Sequence, residues 1–219
     1  MKIMAVSFDM DGTLYPYFMM YVTGFKLFLQ YPKFTFHFNR IRKQIRKVRH
    51  IKDFRQKQAE LLANRMKIDP VRAMKLIEKI IYGKWIDSFK GIRPFPYLIQ
   101  VLEKIRELKL KLALLSDYPV ERKLKFLGLS DFWDLKFSAE EVHNLKPNPE
   151  CFKELSKRLN IPSDNILYVG DTYHYDIVGA HNIGMRTAHF TKRAVENSIA
   201  DITFSDYRDF YSILLKKIN

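Results

Sequence analysis

The sequence predicts an α/β fold in which a mostly parallel sheet is covered by helices on both faces and interrupted once by a helical insertion. Three observations predict it. Over 91–219, apolar runs of strand length alternate with helix-length amphipathic segments, the pattern of a parallel sheet. A similar apolar run opens the chain at 3–8, so the alternation begins before the insertion and resumes after it. The charge is also divided, because 15–90 holds 18 of the 38 Lys and Arg but 5 of the 24 Asp and Glu, or +13 of the net +14. These boundaries predict a core made of 1–14 and 91–219 and a helical domain over 15–90.

Each element follows from local chemistry. Residues 3–8 are a buried strand by length and β-branched content. In the insertion, Ile41, Ile45, Val48 and Ile51 recur at helical spacing with bases between them, which predicts one strongly basic amphipathic helix over 39–57. Asp69 reads as the N-cap and Pro70 as the first-turn residue of a helix that Gly83 ends. The remainder predicts helix 95–108, strand 111–115, helix 119–127 stopped by Gly128, and helix 149–159. Strand 166–169, helix 176–182 stopped by Gly184, strands 185–190 and 202–204, and helix 206–218 complete it.

Composition narrows the function classes. A hydrophobic fraction of 47% supports a packed core rather than disorder. The lone cysteine, Cys151, excludes an internal disulfide and a thiolate zinc cluster, and beside Phe152 and Leu155 it reads as a packing residue. No uninterrupted apolar run reaches the ~18 residues that span a bilayer. An acid at position 9 comes too early for a secretory signal. The expectation is a soluble, cytoplasmic chain without stable membrane insertion.

In a parallel sheet the ligand lies beyond the carboxyl ends of the strands. The first strand delivers Asp9 and Asp11, the second Ser116 and Asp117, and the third Gly170 and Asp171, followed by Asp176. A loop ahead of Pro149 adds Lys146. In extended backbone, residues i and i+2 point the same way, so Asp9 and Asp11 can face one ligand. Crowded carboxylates repel and take up protons unless a cation joins them. Oxygen-only ligands with open positions suit Mg²⁺, and magnesium beside a hydroxyl and an amine suits a phosphoryl group. One carboxylate can then attack phosphorus while the other protonates the leaving oxygen.

The segments FDMDGTLY, LLSDY, LKPNPE and YVGDTYHYD, in that order, resemble the four motifs of the haloacid dehalogenase (HAD) superfamily, in its branch with a helical cap inserted after the first strand. The stretch DIVGAHNIGMRT is also similar to the family. The resemblance covers nearly the whole chain and implies a Rossmann-like, HAD-like core. It implies that Asp9 is the nucleophile, and Asp11 the general acid and then general base. It implies Mg²⁺ held by Asp9, the Asp11 main-chain carbonyl and Asp171, supported by Asp176. Thr13, Ser116, Asp117 and Lys146 are the implied phosphate-binding residues, with Lys146 also restraining Asp9. Asp117 stands where the family often has asparagine, which adds a negative charge near the phosphate.

The implied activity is hydrolysis of a small phosphorylated metabolite through an aspartyl-phosphate. A phosphomutase shares all four motifs and stays open as an alternative. A dehalogenase fits less well, because that branch lacks an aspartate at the position of Asp11. The third reading is a binder using an inactive scaffold. Residues 39–57 carry nine bases and one acid, so the basic helix is either a solvated face or a site for an anionic partner, nucleic acid or a membrane surface. Arg42, Arg46 and Arg49 are the bases on which that choice turns. His174 reads as a rim residue, and His181 and His189 as structural.

Overall fold

Every residue of β1 (Ala5–Phe8) is buried, and successive side chains enter different cores. Val6 and Phe8 join one apolar cluster, and Ala5 joins the other. The same alternation runs through β2 (Lys111–Ser116), where Leu112 and Leu114 face one way and Ala113 and Leu115 the other. A strand with period 2 and both faces buried reads as a continuous apolar run. The computed structural model describes residues 2–48, 51–193 and 195–218. Among them, β1 and β2 join β3 (Leu135–Ser138), β4 (Ile166–Gly170), β5 (Arg186–Phe190) and β6 (Ile202–Phe204) in one sheet of order β3-β2-β1-β4-β5-β6. All five pairings are parallel.

Between β1 and β2 the described chain is helical apart from its turns. It forms α1 (Phe18–Gln30), α2 (Pro32–Ile45), α3 (Phe54–Met66), α4 (Pro70–Ile77) and α5 (Leu98–Glu107), with a π-wound stretch, Glu78–Trp85, continuing α4. Next come α6 (Glu121–Leu127), α7 (Pro149–Leu159), α8 (Gly179–His181) and α9 (Tyr207–Ile218). Helices α5, α6 and α9 cover the Val6 and Phe8 face, while α7 and α8 cover the Ala5 face. Among the described residues no helix is long and apolar enough to cross a membrane.

Four elements differ from the sequence expectation. The basic helix over 39–57 is two helices. α2 ends at Ile45, and Asp53 starts α3 as an N-cap that accepts the Gln56 N–H at 2.9 Å. The apolar spacing holds through Ile41 and Ile45, but Val48 and Ile51 lie beyond the helix end. Arg49 falls outside the described residues. Asp69 caps α4 as expected, accepting the Val71 and Arg72 N–H groups, yet Gly83 lies inside the π-wound continuation instead of ending the helix. The helix expected from Asp176 begins earlier, in a π-wound turn at Tyr173–Val178, so Asp176 sits within the turn. Strand β3 was not expected. It has four half-to-fully buried residues and pairs only with β2, too short an edge for alternation to show.

Candidate active site

From β1 the chain proceeds to β2 and β3 on one side of the sheet and to β4, β5 and β6 on the other. The switch therefore falls between β1 and β4, where a parallel sheet opens a crevice at its carboxyl edge. Phe8 pairs with Val169 there, so Asp9 and Asp171 emerge from neighbouring strands. The Asp9 N–H is held by the Val169 carbonyl at 2.8 Å.

Lys146 ties the rim together. Its Nζ donates to Asp9 Oδ1 at 2.5 Å, to Asp176 Oδ1 at 2.6 Å and to Tyr168 Oη at 3.2 Å. Thr13 Oγ1 donates to Asp9 Oδ2 at 3.2 Å, and Asp176 Oδ2 accepts the Thr172 N–H at 3.0 Å. Carboxylate oxygens of Asp9, Asp171 and Asp176 all lie within 4.8 Å of one another. Two glycines make that crowding possible. At Gly12, with φ of +96°, a Cβ would sit 2.3 Å from Asp171 Oδ2, and at Gly170 a Cβ would sit 2.3 Å from the Asp176 Cβ.

The electrostatics fit a divalent cation. Burial pushes the Asp9 carboxyl well above the usual range, and Asp176, Asp171 and Asp11 outlast the opposing pull of Lys146. Burial and Asp176 push Asp171 up to about 7. Burial alone would lower the Lys146 ammonium, but Asp176 and Asp9 reverse that and hold it charged. When all are ionised, the four carboxylates of Asp9, Asp11, Asp171 and Asp176 stand against two ammonium groups, Lys146 and Lys123, an excess of two negative charges that protons take up unless a cation joins them. Hard oxygen donors with a deficit of that size suit a divalent cation, and Asp9, Asp171 and Asp176 are the residues whose oxygens are close enough to hold one.

Asp11 is restrained separately. Its Oδ1 accepts from Lys123 Nζ on α6 and from the Tyr15 hydroxyl. Lys123 is fully buried, with its ammonium 4.4 Å from the Phe89 ring centre and 5.1 Å from that of Trp85. Burial and Asp11 raise the Tyr15 phenol well above its usual range, so it stays a donor. Sequence reasoning missed Lys123, since a lysine in ERKLKFL reads as a solvated helix residue.

A cavity of about 140 Å³ lies over this rim, lined by Asp9, Asp11, Asp117, Lys146 and Asp176 and reached by Arg46 from the end of α2. Asp117 reaches the cavity, but its carboxylate is taken. Arg46 Nη2 lies 2.6 Å from Asp117 Oδ2, and the Lys146 N–H donates to Oδ1 at 3.0 Å. Burial opposes ionisation there, and Arg46 and Lys146 overcome it, so Asp117 is held below its ordinary range. The charge that replaces asparagine is thus neutralised from the insert. Ser116 is fully buried, with its Oγ accepting the Tyr118 N–H at 3.2 Å.

The basic segment turns partly inward. Buried Arg42 donates to Glu140 Oε1 at 2.6 Å, to Gln58 Oε1 at 3.1 Å and to the Asp117 carbonyl at 2.8 Å. The Tyr82 hydroxyl completes the network by donating to Glu140 Oε2 at 2.8 Å. His174 is exposed, in keeping with a rim position. His189 Nε2 lies 3.1 Å from the Asp171 carbonyl oxygen, which can only accept, so Nε2 carries the proton. Cys151 is buried, and burial pushes its thiol far above the usual range.

An acid-rich rim at the switch point of an all-parallel sheet defines the class as a doubly wound α/β protein with a candidate cation site at its carboxyl edge. A family model described as haloacid dehalogenase-like hydrolase matches residues 3–184, and the chain belongs to that family. A glyceraldehyde 3-phosphate phosphatase of Methanopyrus kandleri is 33% identical over 136 residues, covering 61% of this chain and 58% of the relative. A pyrophosphatase PpaX of Halalkalibacterium halodurans is 28% identical over 125 residues, covering 56% of this chain and 58% of the relative. The chain therefore spans 58% of the length of both curated relatives. A 2-haloacid dehalogenase structure from Pseudomonas syringae pv. Tomato DC3000 matches with a TM-score of 0.71 at 21% identity, covering 98% of this chain and 99% of the other. A HAD phosphatase structure from Thermococcus onnurineus matches with a TM-score of 0.64 at 22% identity, covering 98% of each. At these identities the likeness shows the fold, and one fold carries both chemistries.

Proposed function

We propose that this chain is a cytoplasmic, Mg²⁺-dependent phosphatase that hydrolyses a small phosphomonoester through an aspartyl-phosphate on Asp9, with 15–90 acting as a cap over a core of 1–14 and 91–219. The supporting observation is the buried Lys146 bridging Asp9 and Asp176 beside Asp171, in a cluster that lacks two positive charges. The phosphatase names of the curated relatives agree with it.

In this reading Lys146 and Thr13 hold the Asp9 carboxylate for in-line approach to phosphorus. A bound Mg²⁺ would supply charge neutralisation for the phosphoryl oxygens. The Asp9 oxygen bonds to phosphorus as the ester P–O bond breaks, and Asp11 gives its proton to the departing alkoxide. Asp11 then takes a proton from water, whose oxygen attacks the same phosphorus and releases inorganic phosphate and the free Asp9 carboxylate. Lys146 and the main chain beside Ser116 and Asp117 receive the phosphate, while the Asp117 side chain serves the joint with Arg46.

Phosphate release from an aryl phosphate, with and without chelator, tests this reading. Asp9→Asn is expected to lose more than about a thousandfold in kcat. Chelation should abolish turnover reversibly, and Asp11→Asn should slow both half-reactions. Full turnover by Asp9→Asn overturns the nucleophile. Accumulation of phosphorylated Asp9 without phosphate release would instead identify a phosphomutase. Arg42 and Arg46 face the core, which takes them out of an anion-binding surface and leaves that role, among the described residues of 39–57, to bases such as Arg40, Lys43, Lys47 and Lys52, all exposed.

A further inference from the structure

A second cavity, of about 440 Å³, adjoins the rim inside the helical insert. Tyr17, Met20 and Tyr118 line both cavities, so the two adjoin across one wall. Its inner surface includes buried Leu27, Phe38 and Trp85, and Tyr21, Phe25 and Phe28 stand 66%, 61% and 44% exposed along its outer edge on α1. The chemistry of the lining is the informative part. The insert carries 18 bases, yet no charged side chain lines this cavity among the described residues. The one threonine in the wall, Thr35, has given its hydroxyl to the Tyr31 carbonyl at 2.7 Å. The other polar groups of the wall are the Asn39 amide and the Tyr17 and Tyr21 hydroxyls, all on exposed residues, and the hydroxyl of half-buried Tyr118, so a polyhydroxylated or carboxylated leaving group would lose water for few partners and no opposite charge. An apolar one would gain from burial, in a volume typical of small-molecule pockets.

We infer that this cavity receives the leaving group of the substrate, and that the substrate class is the phosphate monoester of an apolar alcohol, alkyl or phenolic. The inference rests on the proposed phosphatase reading and adds the leaving group to it. The cavity grips the carbon chain while Asp9 and Lys146 meet the phosphate. Hydrolysis then leaves the alcohol in the cavity and inorganic phosphate at the rim.

The test is kcat/KM with Mg²⁺ for n-alkyl phosphates from methyl to octyl, below micelle-forming concentrations, beside glycerol phosphate and a hexose phosphate. Burial at about 0.8 kcal/mol per methylene predicts a rise of roughly fourfold per carbon early in the series. Glycerol phosphate and hexose phosphate should rank with methyl phosphate. Gly24 offers a specific block, because it lines the cavity on α1 and a Cβ there meets nothing within 4 Å. Gly24→Leu also favours the helix. It should cut the octyl-to-methyl ratio of kcat/KM at least tenfold. A flat series, a preference for the hexose phosphate, or an unchanged ratio in Gly24→Leu overturns the inference. Calorimetric titration with octylphosphonate and methylphosphonate reads occupancy without turnover. Tighter octyl binding supports the apolar subsite even if no ester is hydrolysed, in which case the phosphatase reading alone fails. Equal binding of the two sinks the subsite.

Discussion

The rim at the sheet edge and the joint beneath the helical insert both bury charge, but they balance it differently. At the joint, Arg42 and Arg55 meet Glu140, Arg55 also meets Glu78 and Arg46 faces Asp117, three cations to three acids, with Gln58 and Tyr82 adding hydrogen bonds and Arg42 Nε left without a partner. At the rim, Lys146 and Lys123 face four carboxylates. Balanced buried charge holds two layers in register. Unbalanced buried charge is destabilising by itself and persists where a ligand of opposite sign completes it.

The largest way to break this comparison is at the joint. Arg42→Met leaves the buried Glu140 carboxyl with Tyr82 and only the half-exposed Arg55 at 4.0 Å, and is expected to lower stability by about 3 kcal/mol in urea unfolding. Adding Glu140→Leu should recover most of that loss. A single substitution costing under about 1 kcal/mol would mean that the joint is not a balanced buried pair.

The rim sharpens the comparison through pH. In the folded, metal-free chain Asp171 is raised to about 7, so it binds a proton that the unfolded chain has already released above about pH 4. Its contribution to stability is therefore present at low pH and is lost as the pH rises through about 7. Melting in chelator should show Asp171→Asn gaining on the parent chain between pH 5 and 8, readings taken at about those values. Saturating Mg²⁺ should reverse the order, since only the parent retains the full acid set. Parallel melting curves with and without the ion would remove the rim imbalance.

The smallest effect belongs to the outer face of the insert. Lys43→Glu with Lys47→Glu should change stability by no more than about 0.5 kcal/mol per site. If the insert attracts anions, the pair should elute from heparin at lower salt than the parent. Unchanged elution removes that role.

Legibility in the sequence followed the range of the interactions. Asp9, Asp11, Asp171 and Asp176 were readable because each follows a strand whose apolar run is local, and parallel topology sends those ends to one edge. Lys123 was not readable. Lys125, two positions on, is exposed, and nothing in ERKLKFL separates the two lysines before Tyr15, Trp85 and Phe89 close around one of them. Arg42 and Arg46 were visible as bases but not as inward-facing ones, since their partners lie 98 and 71 positions away at Glu140 and Asp117. The break between α2 and α3 has the same origin. Helical spacing continues past Ile45, but the Asp53 cap restarts the helix, and Arg46 leaves α2 to meet the core.

By itself the sequence determined most of the alternating elements, though not β3 or the break between α2 and α3, and the order in which acids reach the sheet edge, because burial period, capping and strand ends are local properties of the chain. The folded structure alone decided which charges are paired, where Asp11 points and that an uncharged cavity lies within a segment of net charge +13. Those depend on side chains far apart in sequence meeting in a low-dielectric interior, where the distance between partners, rather than the number of charges in a segment, sets the energy.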